Sequence, residues 1–300
     1  MVRPALQPLT VTGTVDAAFT IYRRRFRDLV IIAAIILVPL TVITYLLNVT
    51  VFDTEVVVDP DTLDMTGFWG ALIGGLVLAV ISYAGTLVIS GAVAKTVGDE
   101  YVGVGSDWQN SMRKAVDRIW ALIGASLLYA IGVFLGLLLF IIPGIYLAIR
   151  WVVASVTVIL EDRGPTAALS RSAELVRGRW WPVFGVMVLG LIIQFVIGAI
   201  VGAIFGAVIF ASDDPNSAGV LAASAVIDLV IGIFLQPFVA VLVTVIYFDL
   251  RVRKEGFDLD RLADQLDEEI AVPEPRSEWD EGWEEPIPPS EPPAGDSPFG

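Results

Sequence analysis

Long apolar runs alternate with short polar stretches along the chain, and this pattern sets the predicted fold. A helix that crosses a bilayer core about 30 Å thick needs roughly 20 apolar residues. The runs are continuously apolar and lack the two-residue alternation of a barrel strand, so they predict helices. The predicted spans cover approximately residues 29–48, 68–94, 119–141, 143–160, 183–210 and 219–248.

The basic residues predict the orientation of these six spans. Of the 19 Lys and Arg residues, all but Arg150 fall on one side of the predicted membrane. The opposite loops, 49–67 and 211–218, contain acidic residues and no basic ones. Because cytoplasmic flanks collect Lys and Arg, we expect a multi-pass protein of the plasma (inner) membrane with both termini cytoplasmic.

A short amphipathic stretch precedes each odd-numbered span. These stretches begin at Thr14, Ser106 and Thr166, and small polar residues are suitable helix caps because their oxygens accept first-turn amide hydrogens. We predict an all-α fold in which six transmembrane helices form three hairpins, each preceded by a short interfacial helix on the cytoplasmic side.

Glycines spaced four residues apart predict close helix packing in two spans. They are Gly132 and Gly136 in the third span, and Gly198, Gly202 and Gly206 in the fifth. Small residues let helix backbones approach each other. The spacing suits packing within the chain, which we favour, and also suits a homodimer.

Composition supports a membrane protein and narrows its chemistry. Hydrophobic residues make up 56% of the 300 residues, charged residues make up 17%, and the mean hydropathy is +0.75. The chain lacks both Cys and His, the usual sources of thiolate nucleophiles, general bases and transition-metal ligands. A net charge of -14 argues against binding nucleic acid. We therefore expect no enzymatic activity, catalytic site, metal site or cofactor.

The last thirty residues differ in composition from the membrane domain, which we place at 1–270. Residues 271–300 are acidic and rich in proline, which predicts a disordered cytoplasmic tail. Trp279 and Trp283 would share one face if the tail became helical on a partner, so they form a candidate docking motif. The alternative is a solvated tail with no partner.

Three polar residues within the predicted spans form a candidate intramembrane site. Ionisable groups are costly in the hydrocarbon region, so Arg150 and Asp228 each call for a functional hypothesis. Counted from the outer turn at Gly144, Arg150 lies roughly 9 Å along the fourth helix, a depth comparable to that of Asp228. Either the two form a pair beside Gln194, or Arg150 extends to the outer headgroups.

Three stretches resemble a known bacterial family. They are "IIPGIYLAIRW" at 141–151, "ILEDRGPTAALSRSAELVRGRWW" at 159–181 and "YFDLRVRKEGFDL" at 247–259. This part of the chain resembles the membrane domain associated with glycerophosphoryl diester phosphodiesterases. In that family the membrane domain can precede a catalytic barrel that relies on histidines. Because this chain has no histidine, the resemblance implies the membrane fold and not the enzymatic activity.

These observations predict a non-enzymatic scaffold or partner subunit of the inner membrane. Its expected partners are membrane lipids and a protein bound through the tail or the helix faces, and a homo-oligomer is left open. The alternative is a transporter, or a protein that binds lipid or a small anion, with a polar pocket near Arg150, Asp228 and Gln194.

Overall fold

The structure, a computed structural model, is helical throughout the part of the chain that it describes. It describes residues 9–49, 65–105, 107–210 and 217–256, and within these ranges it contains ten α-helices and no strand. The helices are α1 (Val11–Arg24), α2 (Phe26–Leu47), α3 (Met65–Val102), α4 (Trp108–Asp117), α5 (Ile119–Leu139), α6 (Ile141–Arg150), α7 (Ala154–Leu160), α8 (Pro165–Val176), α9 (Trp180–Phe210) and α10 (Ala218–Glu255).

Six segments of the described chain are long and apolar enough to cross a membrane. They are Phe26–Leu47, Leu72–Val102, Ile119–Leu139, Ile141–Leu160, Trp180–Ile204 and Ala218–Glu255. The all-α fold and the six apolar segments are confirmed, and the chain is a multi-pass membrane protein. The predicted tail at 271–300 lies outside the described residues, as do most of the two acidic loops.

The fourth apolar segment differs from its prediction because it is not one continuous helix. α6 ends at Arg150, and α7 begins only at Ala154. In the intervening turn, the amide groups of Val152 and Ala154 donate to carbonyl oxygens three residues earlier, at 3.3 and 3.0 Å. These bonds belong to a tighter turn than an α-helix. The chain can therefore change direction next to Arg150.

Residues 235–250 of α10 form the centre of the core. Almost every side chain in this stretch is buried, and Tyr247 is completely inaccessible. Phe238 contacts Phe19 of α1 edge to face, and Phe248 stacks on Tyr101 of α3 with ring centroids 4.2 Å apart. α3 and α10 also meet further along, where Gln236 donates to the Thr86 hydroxyl at 3.2 Å.

Many large apolar side chains of the long helices are exposed. The large exposed side chains include Val42 and Leu46 of α2, Leu76 and Val80 of α3, and Phe195 of α9. Such surfaces are unfavourable in water and are suited to contact with lipid tails. These exposed apolar side chains therefore suit contact with lipid.

The helix starts differ in detail from the predicted ones. α1 begins at Val11 with Thr10 as its cap, not at Thr14, because the Thr10 hydroxyl accepts from the Gly13 amide at 3.1 Å. Asp107 caps α4, whereas Ser106 lies outside the described residues. Pro165 is the first residue of α8, one before the predicted start. Pro39 and Pro237 both lie inside continuous helices.

Candidate functional site

Arg150 is held at the junction of α6, α8 and α9. The Ser172 hydroxyl of α8 donates to the Arg150 carbonyl oxygen at 3.0 Å. The indole N–H of Trp180, the first residue of α9, donates to the carbonyl oxygen of Tyr146 at 3.2 Å. The Arg150 guanidinium lies 5.8 Å from the centroid of the Tyr146 ring, a cation–π geometry. These contacts fix both ends of the last turn of α6.

A small cavity of about 100 Å³ lies beside this turn. The residues that line it include two arginines, Arg150 and Arg177, and two aromatic residues, Tyr146 and Trp180. Trp180 stacks on Phe184 with centroids 5.1 Å apart, which holds the indole in place. We name this cavity the Arg150 pocket.

Asp228 lines a different cavity, so the predicted pairing is corrected. Its cavity, of about 330 Å³, lies between α2, α3 and α10, and Thr41, Ser82 and Ser224 are among the residues that line it. No described residue lines both this cavity and the Arg150 pocket. Gln194, half-buried on α9, lines neither of them.

Arg150 lies beside a basic segment that the sequence pattern placed on the other side of the membrane from the outer turn at Gly144. The prediction counted depth along one straight helix, whereas α6 ends at Arg150 and the segment that joins α8 to α9 approaches it. Arg150 consequently lies next to Arg177. Arg150, which the sequence pattern placed apart from the other Lys and Arg residues, is therefore a neighbour of the basic segment 177–179.

A cluster of ion pairs around Glu161 joins four parts of the chain. The Glu161 carboxylate, with 11% of its side chain exposed, accepts from Arg163 at 2.6 Å, from Arg171 at 3.0 Å and from the Tyr247 hydroxyl at 2.9 Å. Arg171 also pairs with Glu255, which pairs with Arg251. We call these six residues the Glu161 cluster; they come from α8, α10, the end of α7 and the α7–α8 connection.

The electrostatics of the cluster keep Glu161 ionised. Burial alone raises the pKa of Glu161, but hydrogen bonds from Arg163, Tyr247 and Arg171 outweigh it, so the pKa lies below its ordinary value. Burial lowers the pKa of the Arg171 guanidinium, but its bonds to Glu255 and Glu161 reverse this effect and raise it. A carboxylate held in this way is suited to fixing structure and poorly suited to exchanging protons.

Only part of the ion pairing joins residues that are close in sequence. Glu161 pairs with Arg163, two residues away, and Asp249 pairs with Arg253, four residues away. Asp162 instead pairs with two cations near the end of α4, Lys114 and Arg118. Arg171, Tyr247 and Glu255 were not predicted, since their contacts to the cluster span up to 86 residues along the chain.

Other polar contacts attach α1 to the end of α10. The Leu9 amide donates to Asp249 at 2.8 Å, and Arg253 donates to the Leu9 carbonyl oxygen at 2.5 Å. At the other end of α1, Arg25 donates to Glu100 of α3 at 2.7 Å. These charged groups therefore hold α1 against α10 and α3. The candidate docking motif, Trp279 and Trp283, lies outside the described residues.

Comparison with known proteins gives one family match. The sequence pattern of a family described as a domain of unknown function (DUF8558) matches residues 111–277, more than half of the chain. This range includes α5 to α10, the Arg150 pocket and the Glu161 cluster. No curated protein and no solved structure matches the chain. The resemblance to the phosphodiesterase-associated membrane domain stays a prediction.

Proposed function

We propose that this chain, which belongs to the DUF8558 family of unknown function, is a non-enzymatic scaffold or partner subunit of the inner membrane. The observation that carries this proposal is the Glu161 cluster. Its charged groups pair with one another across helices, and its central carboxylate is held as an anion. The cluster uses its charges to fix helices in place, which is what a rigid scaffold requires.

The proposed topology has three helical hairpins, with both termini in the cytoplasm. α1, α4 and α8 would lie at the cytoplasmic interface, where their basic residues and the adjoining arginines attract anionic lipid. Exposed tryptophans near the starts of α5 and α9 support this arrangement, since Trp120 is 80% exposed and Trp181 is 75% exposed. α8 would also contribute to the core, because half of its residues are buried.

The alternative function, transport or the binding of a lipid or small anion, depended on one pocket near Arg150, Asp228 and Gln194. The contacts of Arg150 favour the binding of an anion, which is only one part of this alternative. Asp228 would serve another role, since its cavity is lined mainly by hydroxyl and apolar groups. The homo-oligomer, with the glycines of α9 at its interface, stays a prediction.

The scaffold proposal predicts that a protein partner binds the acidic tail through its tryptophans. Affinity capture of the full chain in mild detergent should recover a partner that is lost when both Trp279 and Trp283 are replaced by Ala, because two aromatic side chains on one helical face would supply most of a docking interface. Phe299→Ala, an aromatic change in the same tail, is the matched control.

Capture of the same proteins by the wild type and by the double tryptophan variant would contradict this part of the proposal. Loss with Phe299→Ala as well would show a nonspecific effect of tail hydrophobicity. A deletion of residues 271–300 should reproduce the double variant, since we place the whole docking motif in that segment.

A further inference from the structure

Two arginines line the Arg150 pocket. Neither Arg150 nor Arg177 forms an ion pair with any residue that the structure describes. By contrast, carboxylate partners are present for Arg163, Arg171, Arg251 and Arg253. Two guanidinium groups beside one cavity repel each other, and an anion between them would relieve that repulsion.

The backbone places the second arginine beside the first. Gly178 has a φ of 80°, a left-handed conformation that favours glycine. At this turn Arg177 lines the Arg150 pocket, whereas Arg179 lines another cavity together with Asp249 and Arg253. The turn thus assigns one arginine to a pocket without a carboxylate and the other to a pocket that contains one.

The surroundings of the pocket suit a phosphate group at the edge of a membrane. The guanidinium fork binds phosphate oxygens in pairs, and a space of about 100 Å³ accommodates such a compact group. Tyr146, Trp180 and the exposed Trp181 form an aromatic group beside the pocket, and aromatic side chains of this kind are enriched at headgroup depth. Basic pockets between transmembrane helices bind lipid headgroups in this way.

We propose that Arg150 and Arg177 bind the phosphate group of an anionic phospholipid, with Tyr146 and Trp180 packing against the rest of the headgroup. The proposal goes beyond the scaffold function and does not depend on it. It also accounts for an arginine in the fourth apolar segment, since Arg150 neutralises a lipid phosphate and not Asp228.

The test is a titration of the purified full chain in neutral detergent. Phosphatidylglycerol, phosphatidylcholine and inorganic phosphate are added separately, and binding is followed by native mass spectrometry or by thermal shift. Arg150→Gln and Arg177→Gln should each raise the Kd for phosphatidylglycerol roughly tenfold or more, because each removes a charge-assisted hydrogen bond. Arg113→Gln, at an exposed arginine of α4, is the matched control and should leave the Kd unchanged. Phosphatidylcholine should bind more weakly, because its choline cation would face the arginines.

The source of the phosphate is decided by comparing the lipid with the free anion. Binding of inorganic phosphate that depends on both arginines, without binding of phosphatidylglycerol, would overturn the lipid as the ligand. An equal rise in Kd for Arg113→Gln, or no rise for the two pocket variants, would overturn the site itself. Arg177 is exposed and lies outside a helix, so its variant should fold even if Arg150→Gln does not.

Discussion

Replacing Glu161 with Gln is expected to lower the stability of the folded protein in detergent by about 2 to 3 kcal/mol. The change keeps the shape of the side chain but removes the charge that Arg163 and Arg171 face at 2.6 and 3.0 Å. The loss should be at the lower end for a buried ion pair, because the Arg163 side chain remains 41% exposed. A thermal unfolding series in one detergent measures this loss.

Asp162, the next residue, provides a matched control. It also has two cationic partners, Lys114 and Arg118, but its side chain is 57% exposed. Asp162→Asn should therefore cost no more than about 1 kcal/mol. Equal losses for the two variants would contradict the view that the Glu161 cluster holds the helices together.

The wild type and Glu161→Gln should also differ in how their stability responds to pH. The pKa of Glu161 is lowered in the folded state from an ordinary value of 4.5, so the unfolded chain takes up a proton before the folded one does. The stabilisation from this carboxylate is therefore complete above about pH 4.5 and is lost as the pH falls through the lower folded value. The stability difference between wild type and Glu161→Gln should shrink in that acidic range.

Gly136→Ala is expected to destabilise the packing of α5 against α6 by about 1 to 3 kcal/mol. A Cβ atom at this position would lie 2.9 Å from the Cα atom of Gly144 and 3.0 Å from its nitrogen. Both are backbone atoms, so the two helices would have to separate. Gly144→Ala should behave similarly, since its Cβ would lie 2.8 Å from the backbone nitrogen of Leu137.

Gly202→Ala in α9 is the control, with an expected effect of the opposite sign. No described atom lies within 4 Å of a Cβ at this position, nor at Gly198 or Gly206. Alanine is the better helix former by about 0.5 to 1 kcal/mol, so the variant should unfold at an equal or higher temperature. A loss as large as that of Gly136→Ala would contradict the packing described above.

These two glycine series show where sequence reasoning succeeded and where it could not. Both have the same four-residue spacing, but a Cβ at Gly136 would meet the facing helix, whereas a Cβ at Gly202 would meet no described atom within 4 Å. The spacing indicates which face of a helix consists of small residues. Only the tertiary arrangement determines what packs against that face. The prediction of internal packing is confirmed for the third span, whereas for the fifth span it stays a prediction, since no described atom faces its three glycines.

The six apolar segments could be predicted because span length and continuous hydrophobicity are local properties of the sequence. The location of Arg150 could not, because it depends on the turn at 151–153 and on the approach of Arg177 and Trp180. The Glu161 cluster was missed for a similar reason. Its tyrosine comes from α10, and no local pattern marks Tyr247 as a partner of a carboxylate 86 residues away.

Single-cysteine labelling in intact cells tests the central claim most directly, namely that six helices cross the membrane with the basic segments on the cytoplasmic side. The chain has no cysteine, so Asp59→Cys in the first acidic loop and Ser170→Cys on the exposed face of α8 each introduce one reactive thiol. A membrane-impermeant maleimide should label Asp59→Cys in intact cells, and Ser170→Cys only after the membrane is permeabilised. Labelling of both positions from the same compartment would contradict the account.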